Sequence, residues 1–456
     1  MSAARRRVVI VGGGFGGLAA AHKLRRAHVD VTLVDRTNHH LFQPLLYQLA
    51  GGAISEGDCA APIRMALKRS SNTKVVMAAV TEVDAEQRQV VLDRGERLDY
   101  DSLVVACGAR TSYFGHEEWQ GVSCGLKTLT EAVELRNRIY AAFEEADRAE
   151  DDASRQEWMT FVVVGGGATG VEVAGALGLI AGRREKSTWT RIDPADARVI
   201  LLDAGERVVP AFSQKLSAKA ALYLAELGVT VREGARATAI DRNGVTVEVS
   251  GRAERIAART VIWAAGVRAA ELTDTLAAAT EVTTDRSGRI EVRPDLTLPG
   301  YPEISAIGDM TTLAGPGDKP LPGLATVAIQ QARHVAKAIR GGQPGASTPF
   351  RYFDKGALAV VGRGKAVCEV RGLELAGRPA FMTYLGVHLY YLGGGVGRRL
   401  GVLTDWVTAR LGRPHSPVIE GDLNVSAARI GEDRPARNPV NGAGVPGPAL
   451  GERSNR

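Results

Sequence analysis

Apolar residues in this chain gather into short unbroken runs that stop near glycine or aspartate. Residues 8–11 are Val-Val-Ile-Val, 161–164 are Phe-Val-Val-Val, and 304–307 form a third run ending at Gly308-Asp309. Such a run, without polar alternation, predicts a parallel strand covered on both faces. The first two runs lead into a glycine turn and then into helical spacing over 18–24 and 171–180. Each helix is followed by another apolar run, 31–34 and 199–202, closing on Asp35 and Asp203. The order strand, glycine turn, helix, strand, acid therefore occurs twice.

Further strands are expected within 74–106, around a turn at Asp93-Arg94-Gly95-Glu96, and at 229–231, 245–249 and 261–266. Helices are expected at 60–68, 130–147 and 325–339. The charged stretches 144–157 and 183–198 read as a solvated linker and a surface insertion. The fold class that follows is α/β, with two Rossmann-like dinucleotide-binding domains. The first spans 1–125 and 285–345, and the second, 126–284, is inserted into it. A C-terminal domain, 350–425, follows the Gly/Pro-rich 341–349, and the composition of 431–456 predicts a disordered tail.

The glycine turns carry the first chemical signal. In Gly12-Gly13-Gly14-Phe15-Gly16-Gly17, the glycines let a pyrophosphate approach the backbone, and the helix N-terminus offers unpaired N–H groups. Asp35, about 20 residues on, is placed for a ribose diol. The second turn, Gly165-Gly166-Gly167-Ala168-Thr169-Gly170 with Asp203, repeats the logic. A carboxylate at 203 repels a 2′-phosphate and favours NADH over NADPH, whereas Arg207 nearby works the other way. Ala106 and Gly108 close the apolar run 103–108 and Gly266 closes 261–266, and all three are expected to bind the cofactors. Gly308-Asp309 completes the first module, with Asp309 facing the ribityl or phosphate part of FAD; the alternative is an ordinary strand-end turn. Two dinucleotides in one chain imply electron transfer between them.

Composition narrows the partners. The chain has 456 residues, 24% charged and 45% hydrophobic, an ordinary globular balance with room for two or three domains. The net charge of +6 suits an anionic surface, but no basic patch interleaved with aromatics occurs, so nucleic acid is excluded as a partner. The four cysteines form no Cys-x-x-Cys, which argues against a disulfide framework and for a reducing compartment. No metal-ligand spacing occurs. Arg5-Arg6-Arg7 precedes an apolar run that enters the glycine turn directly, which marks a strand rather than a signal peptide.

Three segments extend the picture. Asn38-His39-His40-Leu41-Phe42-Gln43-Pro44-Leu45-Leu46-Tyr47-Gln48, the 161–174 segment with Glu172, and Tyr352-Phe353-Asp354-Lys355-Gly356 resemble motifs of the two-dinucleotide-binding flavoproteins. Within that superfamily the chain resembles the type II NADH dehydrogenases, single-subunit NADH:quinone oxidoreductases, over about 6–425. The resemblance implies FAD at the first turn, with Gln43 and Pro44 near it, and NADH at the second. It implies hydride transfer from NADH to flavin N5 and two electrons passed on to a quinone, menaquinone or ubiquinone, without proton pumping. Glu172 is assigned a proton-relay role near nicotinamide, flavin and quinone; by position alone it is an acid stabilised by the helix dipole. Lys355 is assigned a place beside the flavin ring and a quinone carbonyl; by position alone it is a surface lysine. The family motif Ala-Gln-x-x-x-Gln, which lines the quinone entrance, reads Ala325-Thr326-Val327-Ala328-Ile329-Gln330 here, with threonine for the first glutamine.

The 379–397 segment has 19 residues without Asp, Glu, Lys or Arg. Phe381, Tyr384, Leu385, His388, Leu389 and Leu392 recur at helical spacing, while four glycines and His388 argue against a spanning helix. With Arg398, Arg399, Arg410, Arg413 and Trp406 following, this reads as a helix in the membrane interface, which places the protein peripherally on the cytoplasmic side of the cell membrane. The same face suits a homodimer. The competing function is a soluble NADH-dependent flavin reductase acting on a small quinone-like or biosynthetic acceptor. A sulfide:quinone oxidoreductase using Cys124 and Cys368, and a redox-sensing binding protein, are the remaining alternatives.

Overall fold

The computed structural model describes residues 5–182, 189–342, 348–392, 395–410 and 419; the expected tail at 431–456 and Arg413 lie outside them. Strand Arg6–Val11 occupies the middle of a six-stranded sheet, because Val8 to Val11 are apolar throughout and are covered from both sides. Ile10 sits opposite Leu33 of strand Val29–Asp35 on one side and Val104 of strand Ser102–Val105 on the other, both parallel. Thr73–Met77 extends one edge, and Tyr301–Ala306 returns from late in the chain to extend the other. Thr297–Leu298 closes that edge antiparallel.

A second, four-stranded parallel sheet runs in the order Val229–Arg232, Arg198–Leu202, Thr160–Val164, Thr260–Trp263. An antiparallel sheet of Ala235–Asp241, Gly244–Val249 and Arg252–Ala257 packs on it through Val245, Val247 and Ile256. Strands Ala109–Thr111 and Val267–Ala269 pair antiparallel, so segments leaving the two parallel sheets are hydrogen-bonded to each other.

The third sheet, Ala357–Gly362, Lys365–Val370 and Leu373–Ala376, is antiparallel and carries helix Arg378–Tyr391. Its inner residues Val361, Val367 and Cys368 share one apolar core with Val173 and Leu177 of the second glycine helix, Ala168–Ala181. Leu45, Leu46 and Leu49 from the first module belong to the same core. The C-terminal sheet is thus built onto the second module. Helix Leu129–Arg148 buries Leu135, Ile139 and Phe143 in that core and starts at a capping box of Thr128 and Glu131.

Several expectations change. Residues 60–68 are not one helix: Ala60–Pro62 pairs antiparallel with His39–Leu41, and only Ile63–Ala66 is helical. Pro62 fits ahead of that turn but cannot sit inside a longer helix. The 144–157 stretch contains the end of the long helix and a second helix, Asp152–Trp158, whose cap Asp151 accepts from Ser154 N at 2.8 Å. Of the expected insertion, 183–188 lie outside the described residues, while Asp147 Oδ1 binds Thr190 N and Arg191 N at 3.0 and 2.6 Å. Helix Gln214–Ala225, capped by Ser213, carries no strong sequence signal and packs against the C-terminal sheet.

The C-terminal helices also turn differently. Tyr384 and Leu392 are each 1% exposed, so the apolar stripe of 379–397 faces the core. Trp406 donates Nε1–H to Gln48 Oε1 at 2.7 Å, and Arg398 donates to Asp58 O at 2.6 Å, so both reach inward. The outward apolar residues are Met382 and Tyr390, then Val396, Leu400, Leu403 and Val407 at helical spacing on Val396–Arg410.

Candidate active site

At the first turn, Gly12 adopts φ +100°, and a Cβ there would lie 2.4 Å from Ala106 O. Gly17 has room only because it lacks a Cβ, which would meet Gly12 O at 1.8 Å. Gly16 packs against Ile307. Gly14 differs: it begins helix Phe15–Leu24 and faces no atom within 4 Å. The open side of the turn therefore lies in front of the helix N-terminus, where N–H groups lack intrahelical partners. Asp35 braces the turn: Oδ2 accepts from Gly13 N at 2.6 Å and Oδ1 from Thr37 N at 2.7 Å. Ionised, it has further acceptor capacity for a ribose. Gly108, at φ +70°, also faces open space.

The second turn repeats this geometry. Gly165 has φ +113°, Gly170 approaches Gly165 O, and Gly167 faces no atom within 4 Å. Asp203 accepts from Gly166 N and, at 2.6 Å, from Gly205 N. Thr169 is exposed in the first turn of the helix. Arg207 is directed away, donating to Pro210 O at 3.0 Å. Gly266 has a separate reason to be glycine: a Cβ would run into the Phe114 ring at 2.5 Å. Phe114 is 66% exposed and holds φ +55°, an unusual conformation for a bulky residue.

The 38–48 loop folds over the first turn. His40 donates Nδ1–H to Gly13 O at 3.0 Å, and burial lowers its pKa to about 4, so it is neutral. Phe15 packs edge-on against His40 and Phe42. Gln43 donates to Lys127 O at 3.4 Å, and Lys127 Nζ lies 3.9 Å from Asp309 Oδ2. Tyr47 donates to Tyr384 OH at 3.1 Å, Gln48 Nε2 donates to Tyr47 OH at 3.0 Å, and Tyr384 OH reaches Pro44 O at 3.4 Å. Burial pushes both phenols above the ordinary tyrosine range. The His388 ring lies tilted by 30° with its centroid 3.8 Å from that of Tyr384, and burial keeps it neutral, its pKa lowered to about 4.

Glu172 points at the C-terminal sheet. Its Oε1 accepts from Val360 N at 3.4 Å, and burial pushes its pKa up to about 8 against the opposing effect of that N–H. A carboxyl with this environment carries a proton through much of the neutral range and is a candidate acid or base. Its charge is felt by Tyr47 and Tyr384, so it belongs with the tyrosine pair.

Helix Ala325–Arg340 divides its two glutamines. Gln331, 1% exposed, accepts from Gly308 N at 2.7 Å and so fixes the Gly308–Met310 turn. Gln330 binds the backbone of Phe353 at both ends of its amide, 2.9 Å to O and 3.0 Å from N. Thr326 Oγ1 lies 3.2 Å from Tyr352 OH. Lys355 donates to Tyr391 OH at 2.6 Å, and no contact joins it to Glu172 among the described residues. Asp309 and Gln43 are linked through Lys127, and Glu172 meets the C-terminal sheet; Lys355 stands apart, bonded to Tyr391 of helix Arg378–Tyr391.

Sequence reasoning missed Lys127 and gave Gln331, His40 and Tyr384 no role of their own at the site. A signal existed for Gln331, which falls in the buried stripe of Val327, Ala328, Ala332 and Val335. The nominated cysteines are unsuited to redox work: Cys124 and Cys368 are buried, and burial raises the Cys368 thiol.

Residues 6–332 match the family described as pyridine nucleotide-disulphide oxidoreductase. The chain is 45% identical over 415 residues to the type II NADH:quinone oxidoreductase Ndh of Mycobacterium tuberculosis, covering 89% of this chain and 88% of that protein. It is 30% identical over 407 residues to the type II NADH:quinone oxidoreductase of Staphylococcus haemolyticus, covering 87% and 98%. The fold superposes on NDH2 of Plasmodium falciparum, solved in complex with NADH, with a TM-score of 0.82 at 19% identity, over 90% of this chain and 99% of that one. With its two braced glycine turns, the chain belongs to the pyridine nucleotide-disulphide oxidoreductase family and, within it, to the type II NADH:quinone oxidoreductases.

Proposed function

We propose that the protein is a non-proton-pumping NADH:quinone oxidoreductase with FAD at the first glycine turn and NADH at the second. The observation that carries this is the repetition of one open site: Gly14 and Gly167 each begin a helix with no atom within 4 Å, beside a turn braced by Asp35 or Asp203. The space fits a pyrophosphate, and the acid beyond it fits a ribose. When bound, FAD supplies the two-electron chemistry that links NADH to a quinone.

The chain's residues have distinct parts. Gly12 to Gly17, Asp35, Ala106, Gly108, Gly308 and Asp309 would hold the flavin nucleotide, with Gln43 and Pro44 contributing from the 38–48 loop. Gly165, Gly167, Thr169, Gly170, Asp203 and Gly266 hold NADH. Glu172, protonated through much of the neutral range, holds a proton next to the Tyr47–Tyr384 pair for a quinone that takes up two. Lys355 and the opening of helix Ala325–Arg340 border the quinone. On this division the flavin module takes 1–125 and 285–345, the NADH module 126–284, and the C-terminal domain 350–425.

The protein works peripherally at the cytoplasmic face of a membrane. Support comes from the outward row of Val396, Leu400, Leu403 and Val407, with exposed Arg399 beside it. Among the described residues no helix is long and apolar enough to cross a membrane. Anaerobic stopped-flow spectroscopy tests the function: NADH is expected to bleach the FAD-loaded protein, and menaquinone in liposomes to restore its colour faster than soluble analogues. FAD-loaded protein that NADH leaves coloured ends this reading. Faster recovery with soluble acceptors favours the soluble reductase.

A further inference from the structure

Thr326 and Gln330 lie on the side of helix Ala325–Arg340 that the proposed function turns to the quinone. Gln330 has both ends of its amide committed to Phe353. Thr326, where the related motif has glutamine, is shorter and touches Tyr352 OH at 3.2 Å. The other partner of that phenol is Asp354 Oδ1 at 3.5 Å, a long bond, and the same oxygen already accepts from Gly356 N at 2.8 Å. A phenol has one donor and two lone pairs. With Thr326 donating to its oxygen, Tyr352 keeps an oriented O–H whose present bond is easily exchanged. The neighbours Leu324 and Phe353 are 38% and 52% exposed, so a polar hydrogen sits among apolar surface. The opposite face of the same helix, through Gln331 and Ala328, holds Gly308 of the flavin turn.

We infer that Tyr352, oriented by Thr326, donates the hydrogen bond to a quinone carbonyl that the missing glutamine amide would otherwise supply. Gln330 acts through it, as a positioning residue that fixes the adjoining backbone. This rests on the quinone-reductase reading above.

The test uses the full-length, FAD-loaded protein with NADH saturating and the quinone concentration varied. Removing the donor in Tyr352→Phe raises the quinone KM about tenfold, the effect of one well-placed hydrogen bond, and leaves kcat within about twofold. Thr326→Val raises KM by about threefold, since the phenol is kept and only its orientation is lost. Thr326→Gln supplies an amide of its own, so adding Tyr352→Phe to it changes KM by less than about twofold. Flavin content and melting temperature, read for each variant, separate misfolding from lost recognition. An unchanged KM in Tyr352→Phe, or the same effect of that change in both backgrounds, overturns the inference. Wild-type protein bleached by NADH and recoloured by no quinone overturns the underlying reading and this inference with it.

Discussion

Gly175 and Val361 touch so closely that a Cβ built on Gly175 would lie 1.7 Å from the Val361 carbonyl oxygen. Alanine elsewhere in a helix is favoured over glycine by about 1 kcal/mol. Here the overlap with rigid backbone outweighs that gain, and Gly175→Ala is expected to cost a net 2–3 kcal/mol or so. Thermal unfolding checks it. A melting temperature equal to wild type would show that the sheet slides aside freely.

Glu172 makes stability depend on pH. Its pKa is raised in the folded protein from 4.5 to about 8, so the unfolded chain releases this proton first as pH rises. The group's contribution is full below about 4.5 and is lost progressively up to about 8. Glu172→Gln removes the dependence. Denaturant unfolding is expected to show wild type losing on the order of 4 kcal/mol relative to the variant across that window. A gap between the two proteins that stays constant with pH contradicts it.

Gly14 and Gly167 are glycines that the fold does not demand. Their φ values, −70° and −68°, suit any residue, and neither would collide with a neighbour. Gly14→Val and Gly167→Val are therefore expected to fold normally by circular dichroism. The first is expected to be purified with little flavin colour. The second keeps its flavin and raises the NADH KM at least about tenfold, a loss of about 1.4 kcal/mol. Full flavin loading in Gly14→Val would remove the first turn from the cofactor site.

Leu400 and Leu403 face outward on helix Val396–Arg410. Replacing both by glutamate is expected to abolish flotation with anionic vesicles, since it removes apolar contact and adds repulsion. Retained flotation would exclude this face as the membrane contact. A change from dimer to monomer with flotation intact would instead mark it as a surface between copies.

The parallel strands were legible because strands covered on both faces leave continuous apolar runs. The glycine turns were legible because glycine is required at Gly12 and Gly165, which have positive φ. What stayed hidden depends on distant partners. Glu172 meets Val360 from 188 positions away, and nothing near either residue announces it. Strand Ala60–Pro62 exists because His39–Leu41 lies beside it. The 379–397 stripe reads from sequence as a membrane face because an apolar helix face suits lipid and protein equally. Tyr384, hydrogen-bonded to Tyr47, decides for protein.

Gln330 and Gln331 hold opposite neighbours from adjacent positions, and successive helical residues point about 100° apart. A one-residue slip would carry one amide into the other's position and turn its partner away from both targets. The phase of this helix is therefore set at a single dipeptide, and an insertion or deletion just ahead of it would leave a glutamine at only one of the two anchors, keeping either the flavin-side turn or the Phe353 backbone and releasing the other.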